Sequence, residues 1–173
     1  MGRITLITGG ARSGKSRTAL ELARRVSGTR RIFIATAEGL DDEMRVRIKN
    51  HKESRGDDFE TIETPIQIPK EVESLAARAD VVVIDCLTIW IANLMQTEST
   101  EKSIAQHTQE LIAAAQRVIF ETVLVSGEVG SGIVPDHRTA RDYRDYLGRV
   151  NQEIAAVADS VILMVAGIPI RAK

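Results

Sequence analysis

The chain has 173 residues, 43% hydrophobic and 27% charged, which is the balance of one globular domain large enough to bury a core. Its 23 basic and 24 acidic residues leave a net charge of −1, so no global field recruits nucleic acid or membrane and any anion recognition has to be local. Aromatic content of 3% argues against base-stacking platforms, and the lone Cys86 leaves no internal disulfide and no cysteine-rich zinc site, in keeping with a reducing, cytoplasmic setting.

In chain order, the opening "MGRITLITGG" lacks the apolar stretch of a signal peptide. "RITLIT" (Arg3–Thr8) reads as a buried strand, followed by the glycine-rich "GGARSGKS" and an Ala/Leu-rich helix over Ser16–Val26. A second strand is predicted at Arg31–Thr36. A helix at Asp41–Ser54 begins in acidic and ends in basic residues, which complements its dipole. A helix at Pro69–Arg78, a strand at Asp80–Asp85 and a helix at Thr88–Met95 come next, then a helix at Ser103–Phe120 and a strand at Thr122–Gly127. A helix at Arg138–Ala158 and a strand at Ser160–Val165 complete the set. "VVVIDCLTIWIANLM" is too short and too polar to span a bilayer. Nearly continuous apolar strands alternating with helices imply an α/β fold, with a doubly wound, mainly parallel sheet flanked by helices in a single domain over residues 1–173.

"GGARSGKS" fills every fixed position of the G-x-x-x-x-G-K-[ST] phosphate loop, and it stands between a strand and a helix as that motif requires. Glycines let the backbone curl so that its N–H groups and the helix N-terminus face an anion. The expected cradle is Gly9, Gly10, Ala11, Arg12, Ser13, Gly14, Lys15 and Ser16, with Lys15 on the β/γ oxygens and the Ser16 hydroxyl on Mg²⁺. Asp85, ending an apolar strand, is the candidate second Mg²⁺ group, with a helix N-cap as its alternative role.

"MRVRIKNHKESR" (Met44–Arg55) places His51 among three arginines and two lysines. A histidine on a charged helix is ordinarily just solvated. Phosphoryl chemistry would use both kinds of group, because neutral imidazole is a nucleophile near pH 7 and the cations offset developing charge.

Together the segments "TGGARSGKSR", "IATAEGLDDEMRVRIKNHKESR", "DCLTIWIANLM", "VSGEVGSGIVPDHRTARDYRDYLGRVNQEIA" and "GIPI" resemble, in order and over most of the chain, one family. It is the bifunctional adenosylcobinamide kinase / adenosylcobinamide-phosphate guanylyltransferase family of cobalamin biosynthesis. The resemblance implies a P-loop NTPase-type domain, commonly trimeric, that uses ATP and GTP as substrates. By position His51 becomes the guanylylated residue; some relatives carry two adjacent histidines where this chain has Asn50 and His51. The family's nucleotide contacts fall on Gly9–Ser16, on Thr36, Ala37 and Glu38, on Lys52, Glu53, Ser54 and Arg55, and on Glu63 and Asp85. Relatives often have asparagine where Gly127 stands before Glu128. The activity implied is phosphorylation of adenosylcobinamide, then transfer of GMP through guanylyl-histidine to give adenosyl-GDP-cobinamide. The partners implied are the corrinoid and nucleotides, with no nucleic acid, no membrane insertion and a homotrimeric assembly. The alternatives are a monofunctional P-loop small-molecule kinase, in which His51 is idle, and a non-catalytic nucleotide-binding module.

Other residues receive plainer expectations. His107 is read as an exposed helix histidine without an acidic or cysteine partner, His137 as a surface residue at a helix start, and Cys86 as a small buried hydrophobe. Trp90, Tyr143 and Tyr146 are read as packing residues, and Glu128 as a loop residue between glycines.

Overall fold

The computed structural model describes residues 2–38, 56–97 and 100–173. Its strands are β1 (Ile4–Gly9), β2 (Arg31–Ala35), β3 (Glu60–Glu63), β4 (Val81–Asp85), β5 (Glu121–Val125), β6 (Ser160–Val165) and β7 (Ile168–Arg171). Its α-helices among the described residues are α1 (Lys15–Arg25), α2 (Ile68–Ser74), α3 (Leu87–Thr97), α4 (Glu101–Arg117) and α5 (Arg138–Val157). One sheet runs in the order β3-β2-β4-β5-β1-β6-β7, with every pairing parallel except β6 with β7.

Side-chain alternation along each central strand explains the continuous apolar runs. Val82 and Ile84 of β4 join Ile4 and Leu6 of β1 in a core roofed by α2, α3, α4 and α5. Val81 and Val83 turn the other way, with Ile7, Phe33 and Val123, onto Ala19, Leu20 and Ala23 of α1. Strands covered on both faces have no polar side to display, so the expected α/β sheet is the one observed.

Several boundaries differ from the sequence expectation, and two strands were not foreseen. β3 and β7 lie at the two edges of the sheet, where burial no longer demands apolar residues. The helix expected over Pro69–Arg78 ends at Ser74, and turns beyond it bring the Asp80 carboxylate to the Arg30 side chain. The strand expected over Thr122–Gly127 ends at Val125: Ser126 N still bonds Ile7 O of β1, and the chain leaves the ladder at Gly127, whose N–H bonds Thr88 Oγ1 instead. The helix expected over Asp41–Ser54 lies outside the described residues.

Candidate active site

The strand ends bring the candidate residues together. Glu63, Ala35, Asp85, Val125 and Ile7 form one register row across β3, β2, β4, β5 and β1. Thr36–Glu38, Asp85 and the loop from Gly9 therefore all emerge at the carboxyl edge of the parallel strands, where α/β sheets bind their ligands.

The Gly9–Ser16 loop has the backbone its glycines anticipate. Gly9 has φ 145°, Arg12 φ 55° and Gly14 φ 94°. A Cβ on Gly9 would lie 2.5 Å from the Met164 carbonyl oxygen, so only glycine fits at that strand end. Gly14 is the N-cap of α1 and supplies no side-chain cap; the first turn holds no acidic residue, and Arg24 and Arg25 stand in the last. The positive end of the helix thus faces the loop with no acidic residue in its own first turn. Lys15 Nζ donates to the carbonyls of Gly9 (2.9 Å) and Gly10 (2.6 Å), folding its ammonium over the loop. Ser13 is buried, its carbonyl accepts from Gly167 N (3.1 Å), and its hydroxyl has no hydrogen-bond partner among the described residues. Ala11 and Arg12 are exposed, and Ser16 is half-buried in the first turn of α1.

Asp85 and Cys86 come next to this loop. Burial first, and the Asp85 charge second, push the Cys86 thiol up from its ordinary pKa, while the Lys15 ammonium lies near enough to oppose them. Thr36 is fully buried and its hydroxyl is engaged on both sides, accepting from Cys86 N (2.8 Å) and donating to Cys86 O (2.8 Å). Its hydroxyl therefore fixes the Asp85–Cys86 backbone. Ala37 is half-buried, and Glu38 and Glu63 are exposed at the same edge. His51, Lys52, Glu53, Ser54 and Arg55 lie outside the described residues.

Sequence reasoning missed a polar layer beneath the site. Asn93 Nδ2 donates to Thr36 O (2.9 Å) and Pro65 O (3.0 Å), tying α3 to the ends of β2 and β3. Thr88 Oγ1 accepts from Gly127 N (2.7 Å), Asn151 Nδ2 donates to Gly127 O (3.0 Å), and Ser126 Oγ donates to Asn151 Oδ1 (2.5 Å). Tyr143 OH donates to Thr88 O (3.1 Å), and burial pushes its pKa up to about 12. Thr88 and Asn93 interrupt an apolar helix, and those were the available signals.

Of the residues expected to be incidental, Trp90 is fully buried with Nε1 donating to Ile66 O (2.8 Å), and His137 is exposed at the N-cap of α5. His107 is a correction. It is half-buried, with Nδ1 3.5 Å from Glu110 Oε2, because the i,i+3 spacing on α4 brings the carboxylate alongside. No helix among the described residues is long and apolar enough to cross a membrane.

Comparison with known proteins agrees with this arrangement. Residues 5–172 match the family described as "Cobinamide kinase / cobinamide phosphate guanyltransferase". The chain is 40% identical to the bifunctional adenosylcobalamin biosynthesis protein CobU of Escherichia coli and 41% identical to that of Salmonella typhimurium, in each case over 97% of this chain and 98% of the relative. It is 36% identical to the bifunctional adenosylcobalamin biosynthesis protein CobP of Pseudomonas aeruginosa, over 97% of this chain and 96% of the relative. A glycine-rich loop at the sheet's carboxyl edge, an aspartate two strands away and a match over nearly the whole length lead to one assignment: the chain belongs to the cobinamide kinase / cobinamide phosphate guanyltransferase family.

Proposed function

We propose that residues 1–173 act as one domain that carries out two transfers. In the first, the γ-phosphoryl of ATP or GTP passes to the aminopropanol hydroxyl of adenosylcobinamide. In the second, His51 attacks the α-phosphorus of GTP, pyrophosphate leaves, and the corrinoid phosphate takes GMP from the histidine to give adenosyl-GDP-cobinamide. The observation that carries this reading is the family match over residues 5–172, which includes both the Gly9–Ser16 loop and the His51 segment.

The geometry supports a phosphate cradle. The uncapped N-terminus of α1, the Lys15 ammonium and the buried Ser13 hydroxyl are donors that phosphate oxygens would satisfy. A buried hydroxyl left without a partner costs about 1–3 kcal/mol, so an anion there would be favoured on hydrogen-bond grounds alone. Thr36, Ala37, Glu38 and Glu63 line the same edge and serve as nucleotide contacts in this reading, as do Lys52, Glu53, Ser54 and Arg55. Lys15 neutralises charge on the transferring group in both steps.

Ser16 and Asp85 offer a hydroxyl and a carboxylate, the hard oxygen donors that suit Mg²⁺, which takes one or two protein groups and completes its shell with phosphate and water. These two residues would hold it, and the ion when bound would offset phosphate charge. We assign a homotrimeric assembly on the family resemblance and a cytoplasmic setting on the lone cysteine.

Incubation with α-labelled GTP, followed by acid and base treatment and peptide mapping, tests the proposal. The expected result is an acid-labile, base-stable label on the peptide containing His51. His51→Ala should abolish the label and retain much of the phosphorylating activity. Nucleotide turnover onto the corrinoid with no covalent label would leave a monofunctional kinase.

A further inference from the structure

We propose that Glu128 is a catalytic residue of the phosphoryl-transfer step, the carboxylate that accepts the proton of the attacking hydroxyl. This rests on the kinase half of the proposed function.

The position follows from the sheet order. β5 lies between β4, which carries Asp85, and β1, which carries the phosphate loop. Asp85, Val125 and Ile7 are in register, so the chain leaving β5 rises between the aspartate and the cradle. Its backbone is bound to β1 and the loop: Ser126 N donates to Ile7 O (2.9 Å) and Glu128 N to Gly9 O (3.0 Å). That same Gly9 carbonyl receives Lys15 Nζ at 2.9 Å. Glu128 and the phosphate-handling lysine therefore share one anchor.

The intervening residue is clamped from two helices. Gly127 N donates to Thr88 Oγ1 of α3, and Gly127 O accepts from Asn151 Nδ2 of α5. A Cβ at Gly127 would sit 2.9 Å from Thr88 Oγ1, so the glycine lets the loop pack down on α3. On this fixed base Glu128 is exposed, and its Oε1 accepts from Gly130 N (2.5 Å), which orients the carboxylate and leaves Oε2 to act as a base. Arg144 Nη2 holds Gly130 O at 2.6 Å, so the turn that orients the carboxylate is itself tied to α5.

The two half-reactions differ in their need for such a group. In the first, the acceptor oxygen forms a bond to the γ-phosphorus and the bond from that phosphorus to the β,γ-bridging oxygen breaks. The nucleoside diphosphate leaves with the electron pair, and the hydroxyl proton passes to Glu128 and then to water. In the second, the nucleophiles are a neutral imidazole nitrogen and then a phosphate oxyanion, and neither brings a hydroxyl proton to remove. A base beside the cradle is thus required by the first step alone. Thr88 and Asn151 act through Gly127 and are positioning residues.

The test is Glu128→Gln, which keeps the acceptor oxygen for Gly130 N and removes the basicity. Phosphorylation of adenosylcobinamide and transfer of GMP to separately prepared adenosylcobinamide phosphate are measured in the same preparation. The expected result is a drop of about a hundredfold in the ratio of the first rate to the second, carried by kcat with little change in nucleotide KM. Thr88→Val should lower the same kcat by a smaller factor, and Thr88→Ser should restore it. An unchanged ratio in Glu128→Gln, or an equal loss of both rates, overturns the inference. If the parent chain neither phosphorylates the corrinoid nor takes the histidine label, the proposed function itself fails.

Discussion

The hydroxyl of Thr36 binds both sides of the Cys86 backbone, receiving its N–H and donating to its carbonyl, each at 2.8 Å. A residue at the end of β2 thereby sets the chain just past Asp85 at the end of β4. Thr36→Val keeps the shape and removes both bonds, stranding the Cys86 N–H next to a buried side chain, while the Cys86 carbonyl keeps its bond from Trp90 N (3.1 Å). The expected destabilisation is about 1–3 kcal/mol by urea unfolding. The Cys86 thiol, disfavoured as thiolate by burial and by Asp85, should alkylate slowly with iodoacetamide at neutral pH, and faster in this variant. Thr36→Ser should behave as the parent.

Lys15 lies over the loop carbonyls of Gly9 and Gly10, in a loop that also carries the buried Ser13 hydroxyl. Lys15→Ala removes the cation that, in the proposed function, offsets charge on the transferring group. Both the phosphorylating rate and the rate of histidine labelling should fall by on the order of a hundredfold. A variant with parental GTP affinity and turnover would remove the cradle assignment.

At the opposite end of the sheet, Asp80 Oδ2 accepts from Thr29 N and Arg30 N, and Oδ1 accepts from the Arg30 guanidinium. The Arg30 side chain is the main cause holding this carboxyl at about 2, below its ordinary 3.8. The folded chain therefore binds this proton less tightly than the unfolded one. The stabilisation is present above about pH 4 and is lost as pH falls toward 2. Asp80→Asn should lower the urea midpoint at neutral pH, and the gap from the parent should shrink through that window.

Trp90 is the only tryptophan, fully buried on α3, with its indole N–H on Ile66 O. Its fluorescence should be blue-shifted in the folded chain and move red on unfolding, which makes it a probe of the α3 core. Trp90→Ala should cost about 3–5 kcal/mol, from lost burial and the cavity left behind. Trp90→Phe should cost less, with part of its effect coming from the lost indole bond to Ile66 O, a carbonyl that keeps its bond from Ile68 N (2.9 Å).

How far the fold could be read from sequence depended on burial. β1, β2, β4 and β5 appear as apolar runs because both their faces are buried, and β6 is equally apolar although four of its six residues are only half-buried or exposed. "ETIE" of β3 and "IPIR" of β7 carry no such pattern, since the first is mostly half-exposed or exposed and the second wholly exposed. Pro169 supplies no N–H to a ladder, which an edge position tolerates. The glycine-rich loop was legible because its chemistry is local to Gly9–Ser16. The layer formed by Thr88, Asn93, Ser126 and Asn151 was not, because each of its bonds joins residues far apart in the chain.

During synthesis β1 emerges before every other strand of the sheet, but Ile4 pairs with Thr122 and Thr5 with Ser160. The loop it carries is fastened from equally late residues, with Glu128 N on Gly9 O and Gly167 N on Ser13 O. A ribosome-bound chain that stops short of β5 holds the loop on a strand without neighbours. Bound nucleotide can stabilise the fastened loop only once the strands beside it have been made, so ligand binding helps folding only after residues 121–167 have emerged.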